Sequence, residues 1–563
     1  MHSLRIQVVT AALIALLALG NMSLAQSRNR KIGTQFTVTA DPLVPRPAEK
    51  PCTVQLFSGL TFAMFSESVQ NFQYTPPADC PGPWAAVVLE ADFSENAGVQ
   101  FDRTASMYFN NTMLYFGTTP EPLANDTNTW HVERDVTDYS ALLSAPQTGT
   151  MVLPNCTSDC PPPYQYLNGI FTVNADLQFY PLQGNGPARP DAVLPMLQSN
   201  GSGGYNLPAS VNSPTQQFST TFTLPTNVEQ AYLDVVTQGQ SGDEFWYTCV
   251  PNDLTTELQS CGGTAFREAE ISIDGTPAGV APVYPWIFTG GIDPFLWIPI
   301  PGVQTLDFIP YRVNLTPFAG LLSNGQQHTV AMSVLNVTSA FSVTGTLLLF
   351  EDHGSQQVTG AVTSNTIKPP NPVITTDLHV NGSNVIGTVK TVSDRQFQVA
   401  GYVNTSHGKV NTIVQQSVNF SNLQGFKITP NIYVQDISQL TPVNSDLTQV
   451  GGGSTFSTES LFYPLTLGIT VTFPNGQTVE TTTVQQEFKD IVANPQYSST
   501  VDNLVNSQDT LNFNSGVNDG AKSSQQYTFA NSYGQTYSCG LATKNNTLKA
   551  VGAGCNQTIG FKQ

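Results

Sequence analysis

Charge is what this chain of 563 residues has least of: 11% of its residues are charged, against 40% hydrophobic. Basic side chains are the scarcer kind, 21 Lys and Arg against 40 Asp and Glu, for a formal net charge of −19. That balance excludes nucleic acid as a partner, because phosphate backbones are held by basic surfaces. It suits a protein working in acidic surroundings, where partial protonation relieves self-repulsion. Histidine is also rare, with six scattered residues (His2, His131, His328, His353, His379 and His407). The chain carries no His-Glu-x-x-His, no Gly-x-Ser-x-Gly elbow, no P-loop and no dinucleotide fingerprint, which removes the most familiar metal, serine and nucleotide chemistries. His131 lies near an acidic stretch, but a lone histidine beside a strand is more often structural. Long apolar runs are missing except for Val8 to Leu19, so no membrane span is expected in the remaining chain.

That one run follows Arg5 and leads to Ser23-Leu24-Ala25. A basic start, an apolar centre too short to span a membrane easily and small residues before the cut describe a signal peptide over residues 1–25. The mature chain is therefore expected to be secreted or periplasmic. Eight cysteines, an even number in an exported chain, point to disulfides. Their four local groups suggest the pairs Cys52–Cys80, Cys156–Cys160, Cys249–Cys261 and Cys539–Cys555, although spacing alone permits others. Cys156-x3-Cys160 has no second Cys or His pair of zinc spacing nearby, so no metal is expected.

What the chain does have is Gly (44) and Pro (39), with abundant Thr, Val, Ser and Asn, the composition of an all-β protein with many turns. After a lead-in over 26–51, a first β domain is expected over 52–182. Its last strand alternates cleanly, with Phe171, Val173, Ala175, Leu177 and Phe179 on one face. A Gly/Pro/Asn/Ser-rich linker or loop over 183–209 leads to a second β domain over 210–352, in which Asp274-Gly275 signals a hairpin. Residues 353–372 form a second linker, and 373–563 form a C-terminal β-rich accessory region. Asp307 to Leu322 parallels Val132 to Leu143: a polar strand, then Asp/Asn-x-Thr, an aromatic and a Leu-Leu pair. This weak repeat suggests two related sandwiches side by side.

The available chemistry is carboxylate chemistry. The first domain offers Glu90, Asp92, Glu95 and Asp102; the second offers Asp243, Glu244, Glu268, Glu270, Asp293 and Asp307. Asp102, before Arg103 and at a strand end, is either an ordinary salt bridge or a carboxylate held ionised as a base. Glu244 lies between Asp243 and Phe245-Trp246-Tyr247, where a like charge and aromatic burial raise a carboxyl pKa; the plain alternative is a loop acid above a core aromatic. One acid per sandwich, meeting at a cleft, suits hydrolysis of a glycosidic bond or of an amide attached to a sugar. Trp246, Trp286 and Trp297 are candidates for stacking on sugar faces, although core packing is the commoner role of a Trp.

The segments LEADFSENAGVQFDRTASMYFNN, TPEP, WHVERDVTDYSALL, DEFWY, FREAEISIDG, VYPWIFTGGIDP and LTPFAGLL resemble, in order and spacing over about residues 50–350, the peptide-N-glycosidase A family of acid-active amidases. More distantly the chain is similar to peptide-N-glycosidase F. The resemblance implies two adjacent jelly-roll-like β-sandwiches with a site at their junction, hydrolysis of the amide between asparagine and the first N-acetylglucosamine of an N-linked glycopeptide or glycoprotein, no cofactor, and a monomer. It carries the catalytic aspartate onto Asp102 and a second key acid onto Glu244, with Arg103 as a substrate-binding or charge-stabilising group. A third acid of peptide-N-glycosidase F falls on the strand over 169–180, where this chain has Asn174 and an out-of-place Asp176; Glu90 or Glu268 is expected to substitute. The rival readings are a glycoside hydrolase using the same acid pair and a non-catalytic carbohydrate-binding or adhesion protein.

Overall fold

The computed structural model describes residues 36–561 except 42–43, 48, 122–124, 185, 200–206, 452–453 and 557–559. The expected signal peptide lies outside the described residues. The first β domain has eight strands, β1 (Cys52–Phe62), β2 (Val69–Tyr74), β3 (Trp84–Glu95), β4 (Thr104–Phe109), β5 (Thr112–Thr118), β6 (Asn128–Asp135), β7 (Gln147–Val152) and β8 (Phe171–Pro181). They form two four-stranded sheets ordered β1-β8-β3-β6 and β2-β7-β4-β5. Eight antiparallel strands split this way between two sheets make a jelly roll. The alternation read in β8 closes the core, since Phe171, Val173, Ala175, Leu177 and Phe179 are all buried.

The next strands repeat that order. They are β9 (Ala192–Pro195), β10 (Ala209–Val211), β11 (Phe218–Thr223), β12 (Val228–Gln240), β13 (Glu268–Ile273), β14 (Thr276–Pro282), β15 (Tyr311–Asn314), β16 (Gln327–Val334) and β17 (Ala340–Glu351). Strands β9 and β10 both pair with β17, so together they act as one interrupted first strand; β9 falls in the stretch read as linker, and β10 begins at its last residue. The sheet orders are then β9/β10-β17-β12-β15 and β11-β16-β13-β14, the same jelly roll a second time.

Local chemistry repeats with the topology. The tight hairpin between β4 and β5 places Asn110 and Asn111 at positive φ, and the matching hairpin between β13 and β14 does the same with Asp274 and Gly275. These are the residue types that tolerate that conformation. After β6, Asp135 Oδ1 accepts from the Thr137 amide (2.8 Å) and Thr137 Oγ1 accepts from the Val87 amide (2.9 Å). After β15, Asn314 Oδ1 accepts from the Thr316 amide (3.0 Å) and Thr316 Oγ1 accepts from the Ala231 amide (3.3 Å). The Asp/Asn-x-Thr motifs are thus equivalent turns in two copies of one fold.

From Thr359–Asn365, inside the stretch read as a second linker, to Thr547–Val551, the chain builds one 14-stranded sheet. It packs on the second jelly roll with a continuous apolar core: Phe397, Phe420, Tyr463 and Leu465 share one cluster with Phe266, Tyr284 and Trp286. All four expected disulfides form. At the centre of this interface a buried row of amides replaces apolar contact. Asn422, Gln435 and Gln424 donate to the carbonyls of Tyr247 (3.0 Å), Thr248 (2.9 Å) and Cys249 (2.9 Å), and are bonded to one another. A buried carbonyl that loses its donor costs roughly 1–3 kcal/mol. Gln424→Leu is therefore expected to lower the unfolding free energy by about that amount in denaturant titrations.

Candidate active site

Asp102 lies in the connection from β3 to β4, and Glu244 in the connection from β12 to β13. These are the same connection in the two jelly rolls. Both connections meet the long loop between β14 and β15, which docks along the edge of β5. There the Thr118 amide donates to Thr305 O (2.9 Å), the Phe308 amide to Phe116 O (2.8 Å) and Tyr115 OH to Leu306 O (2.8 Å). Thr119 ties the loops together: it exchanges hydrogen bonds with the Arg103 backbone (2.7 and 2.8 Å), and its carbonyl accepts from Thr289 Oγ1.

The next residue of that loop, Gly290, is where carboxyl groups converge. A Cβ on Gly290 would lie 2.6 Å from Asp102 Oδ1 and 2.6 Å from Glu121 Oε2, so a side chain there would displace these carboxyl groups. Gly291 backs onto the Phe245 ring, next to Glu244, and its carbonyl accepts from Trp297 Nε1 (2.9 Å). Asp102, Glu121 and Glu244 are each half-buried, whereas Glu95, at the end of β3, is fully buried with both carboxyl oxygens unpaired.

Burial raises every one of these acids, and their neighbours separate them. Asp102 is pushed up by burial but drawn back by the Gly290 amide and by the Arg103 charge. Glu244 is raised to about 7 by burial and by the Asp102 charge. Glu121 is raised to about 8 by burial and then by Asp102 and Asp293, and Glu95 to about 9 by burial and then Glu121. Asp102 alone among them is drawn back by both a backbone amide and a guanidinium, which favours it as the carboxylate while burial favours the neutral form of the others in acidic solution.

Arg103 is not the salt-bridge partner of Asp102. Its guanidinium donates to Gln100 Oε1 (2.6 Å), and Gln100 in turn donates to Asn155 Oδ1 (2.7 Å). Arg103 acts on Asp102 through its charge and by fixing the turn. Asp243, beside Glu244, is a structural anchor: it pairs with buried Arg267 (2.8 Å) and accepts from the amides of Thr338, Ser339 and Ala340.

Other expected site residues stand elsewhere. Glu90 pairs with Arg46 (2.5 Å), about 17 Å along β3 from Glu95 at a strand rise of about 3.3 Å per residue. Glu268 shares Arg395 of the C-terminal sheet with Glu270. Trp246, Trp286 and Trp297 are buried, packed by the C-terminal sheet and the loop itself, and present no face to a sugar. The accessible rings beside Asp102 are Phe101 and Tyr164, in edge contact at 5.8 Å, with Tyr166 exposed nearby in sequence. Among the described residues one group has metal-ligand spacing, Glu229, Asp352 and His407. Glu229 is at the opposite end of β12 from Glu244, and Asp352 already accepts from Ser406 and Gly354. Glu121 and Gly290 are the site residues that local reading missed; the signals were an acid between two prolines and a Gly-Gly pair in an aromatic loop.

A sequence model described as "Peptide N-acetyl-beta-D-glucosaminyl asparaginase amidase A" matches residues 42–368. The chain belongs to this family. It is also 31% identical, over 409 residues, to peptide-N4-(N-acetyl-beta-glucosaminyl)asparagine amidase A of Prunus dulcis, covering 69% of this chain and 68% of that one. Among solved structures, PNGase F, a glycosylasparaginase from Flavobacterium meningosepticum, aligns at a TM-score of 0.36 and 16% identity over 54% of this chain and 96% of its own. PNGF-II aligns at 0.36 and 15% over 60% and 68%.

The close packing at Gly290 predicts that Gly290→Ala displaces Asp102 and Glu121 and lowers kcat by about 100-fold or more, since small misplacements at a reacting centre are that costly; steady-state kinetics with a thermal melt as control checks it. The raised acids also set the sign of a pH effect. With Asp41 at about 6, Asp293 at about 7 and Glu121 and Glu95 at about 8 and 9, the folded state keeps protons that the unfolded chain has lost. Stability therefore falls as pH rises, and the melting temperature is expected to drop steadily from about pH 5 to about pH 8. The groups held low, such as Asp352 at about 2, release their contribution only at more acidic pH.

Proposed function

We propose that this chain is an amidase that hydrolyses the bond between asparagine and the innermost N-acetylglucosamine of N-linked glycans on glycopeptides or glycoproteins. Family membership supports the reaction, and one observation carries its assignment to this site: Asp102 and Glu121 of the first jelly roll close on Gly290 of the second, next to the connection that bears Glu244. Asp102, as the base, takes a proton from the water that attacks the amide carbonyl. Glu244, neutral below about 7, donates a hydrogen bond to the amide or to the sugar. In a half-buried site such a preformed donor stabilises developing charge more than water does. Arg103 biases Asp102 toward its ionised form. The exposed Phe101–Tyr164 pair offers a sugar or peptide an apolar surface next to the reacting centre. The glycan leaves as a glycosylamine and asparagine becomes aspartate.

The four disulfides support an oxidising compartment, in keeping with export through the N-terminal segment. Incubating the protein with a defined N-glycopeptide and weighing the peptide separates the readings. Conversion of asparagine to aspartate is expected; a sugar left on the peptide would instead mark a glycosidase, and no turnover would mark a binding protein. Asp102→Asn is expected to fold with an unchanged melt and to lose about 100-fold or more in kcat, the usual contribution of a positioned base; near-normal turnover would refute its role.

A further inference from the structure

We propose that Glu121 is the acid partner of Asp102, giving its proton to the amide nitrogen as the carbon–nitrogen bond breaks. The proposal rests on the amidase reading and adds a residue to it. Asp102 Oδ1 and Glu121 Oε2 each lie 2.6 Å from the same point above the Gly290 α-carbon, so the two carboxyl groups face a common space. Two carboxylates so close cannot both ionise cheaply, and the one with better compensation takes the charge.

The compensation is unequal. Asp102 has the Gly290 amide and the Arg103 guanidinium. The charged or titratable groups that act on Glu121 are Asp102 and Asp293, both acids, and Glu121 in turn raises Glu95. Asp293 itself sits against Asp509 of the C-terminal sheet. Glu95 is fully buried, with both oxygens unpaired. A charge on Glu121 would add to that of Asp102, with acids as its other titratable neighbours, so the proton stays on Glu121. The residue is held in place by the preceding Thr119, which is bonded to Arg103 and to Thr289, and it remains half-accessible.

The proton inventory balances. Water forms the new carbon–oxygen bond and gives one proton to Asp102. Glu121 gives its proton to the nitrogen, and the carbon–nitrogen bond breaks to release a neutral glycosylamine. The newly formed aspartic acid of the peptide returns its proton to the Glu121 carboxylate, and Asp102 sheds its proton to water. Glu244 keeps its proton throughout as a hydrogen-bond donor, so the two neutral acids have different tasks.

Glu121→Gln and Glu121→Ala test the assignment with a defined N-glycopeptide at about pH 5. For Glu121→Gln the expected result is a kcat about 100-fold lower or more, KM within about threefold and an unchanged melt, as for loss of a positioned acid. For Glu121→Ala, added acetic acid is expected to restore part of the rate in proportion to its neutral form, which a purely structural role would not show. If Glu121→Gln unfolds, the acetic acid response of Glu121→Ala decides. A kcat of Glu121→Gln within about threefold of wild type, a loss confined to KM, or an alanine variant that acetic acid does not restore overturns the proposal. Wild-type protein that leaves the glycopeptide intact would overturn the amidase reading instead.

Discussion

The contact on which the site depends is that of two carboxyl groups with one backbone position, Gly290. Asp102 comes from a connection in the first jelly roll, Glu121 from another connection of the same jelly roll, and Gly290 from the second. Without a side chain, Gly290 lets both acids close on it, and its amide favours a charge on one of them. The remaining scaffold makes that approach possible. The loop bearing Gly290 is laid along β5 by backbone hydrogen bonds, and Gly117 on that strand is so close to Leu306 O that a Cβ would stand 2.0 Å from it.

Duplication explains why the acids meet. Each jelly roll contributes the connection between its third and fourth strands, carrying Asp102 in one and Glu244 in the other, and the connection after its fifth, carrying Glu121 and Gly290. In the second copy both connections are long and would be poorly held by their own sheets. The C-terminal sheet supplies what they lack. Its amide row binds the carbonyls of Tyr247 to Cys249, just after Glu244. Gln486, Ser507 and Asn546 bind the carbonyls of Pro285, Leu296 and Phe295 in the Gly290 loop. A region poor in clustered carboxylates and aromatics thus serves the chemistry by positioning rather than by contact.

Much of this was legible because it is local. Strand alternation, the Asp274-Gly275 turn and each Asp/Asn-x-Thr motif are written within a few residues, and each cysteine pairs with its neighbour in the chain, at most 28 residues away. Asp102 and Glu244 stood out for the same reason. What stayed hidden depends on residues far apart in the chain. Glu90 and Glu268 looked free, yet their arginines are Arg46 and Arg395. The tryptophans were candidates for sugar stacking, but they share one apolar cluster with a sheet about a hundred or more residues later in the chain. Glu121 is ordinary in sequence and becomes chemical only when Gly290 arrives beside it.

The central claim is that one carboxylate works among acids that must stay protonated. The measurement that addresses it most directly is kcat/KM of the wild-type protein for an N-glycopeptide across pH 3–9. The profile is expected to rise as Asp102 ionises and then fall as Glu244 and Glu121 lose their protons near 7 and 8. A rate that holds level or keeps climbing to pH 9 would show that those acids are not needed in neutral form, and would contradict the account.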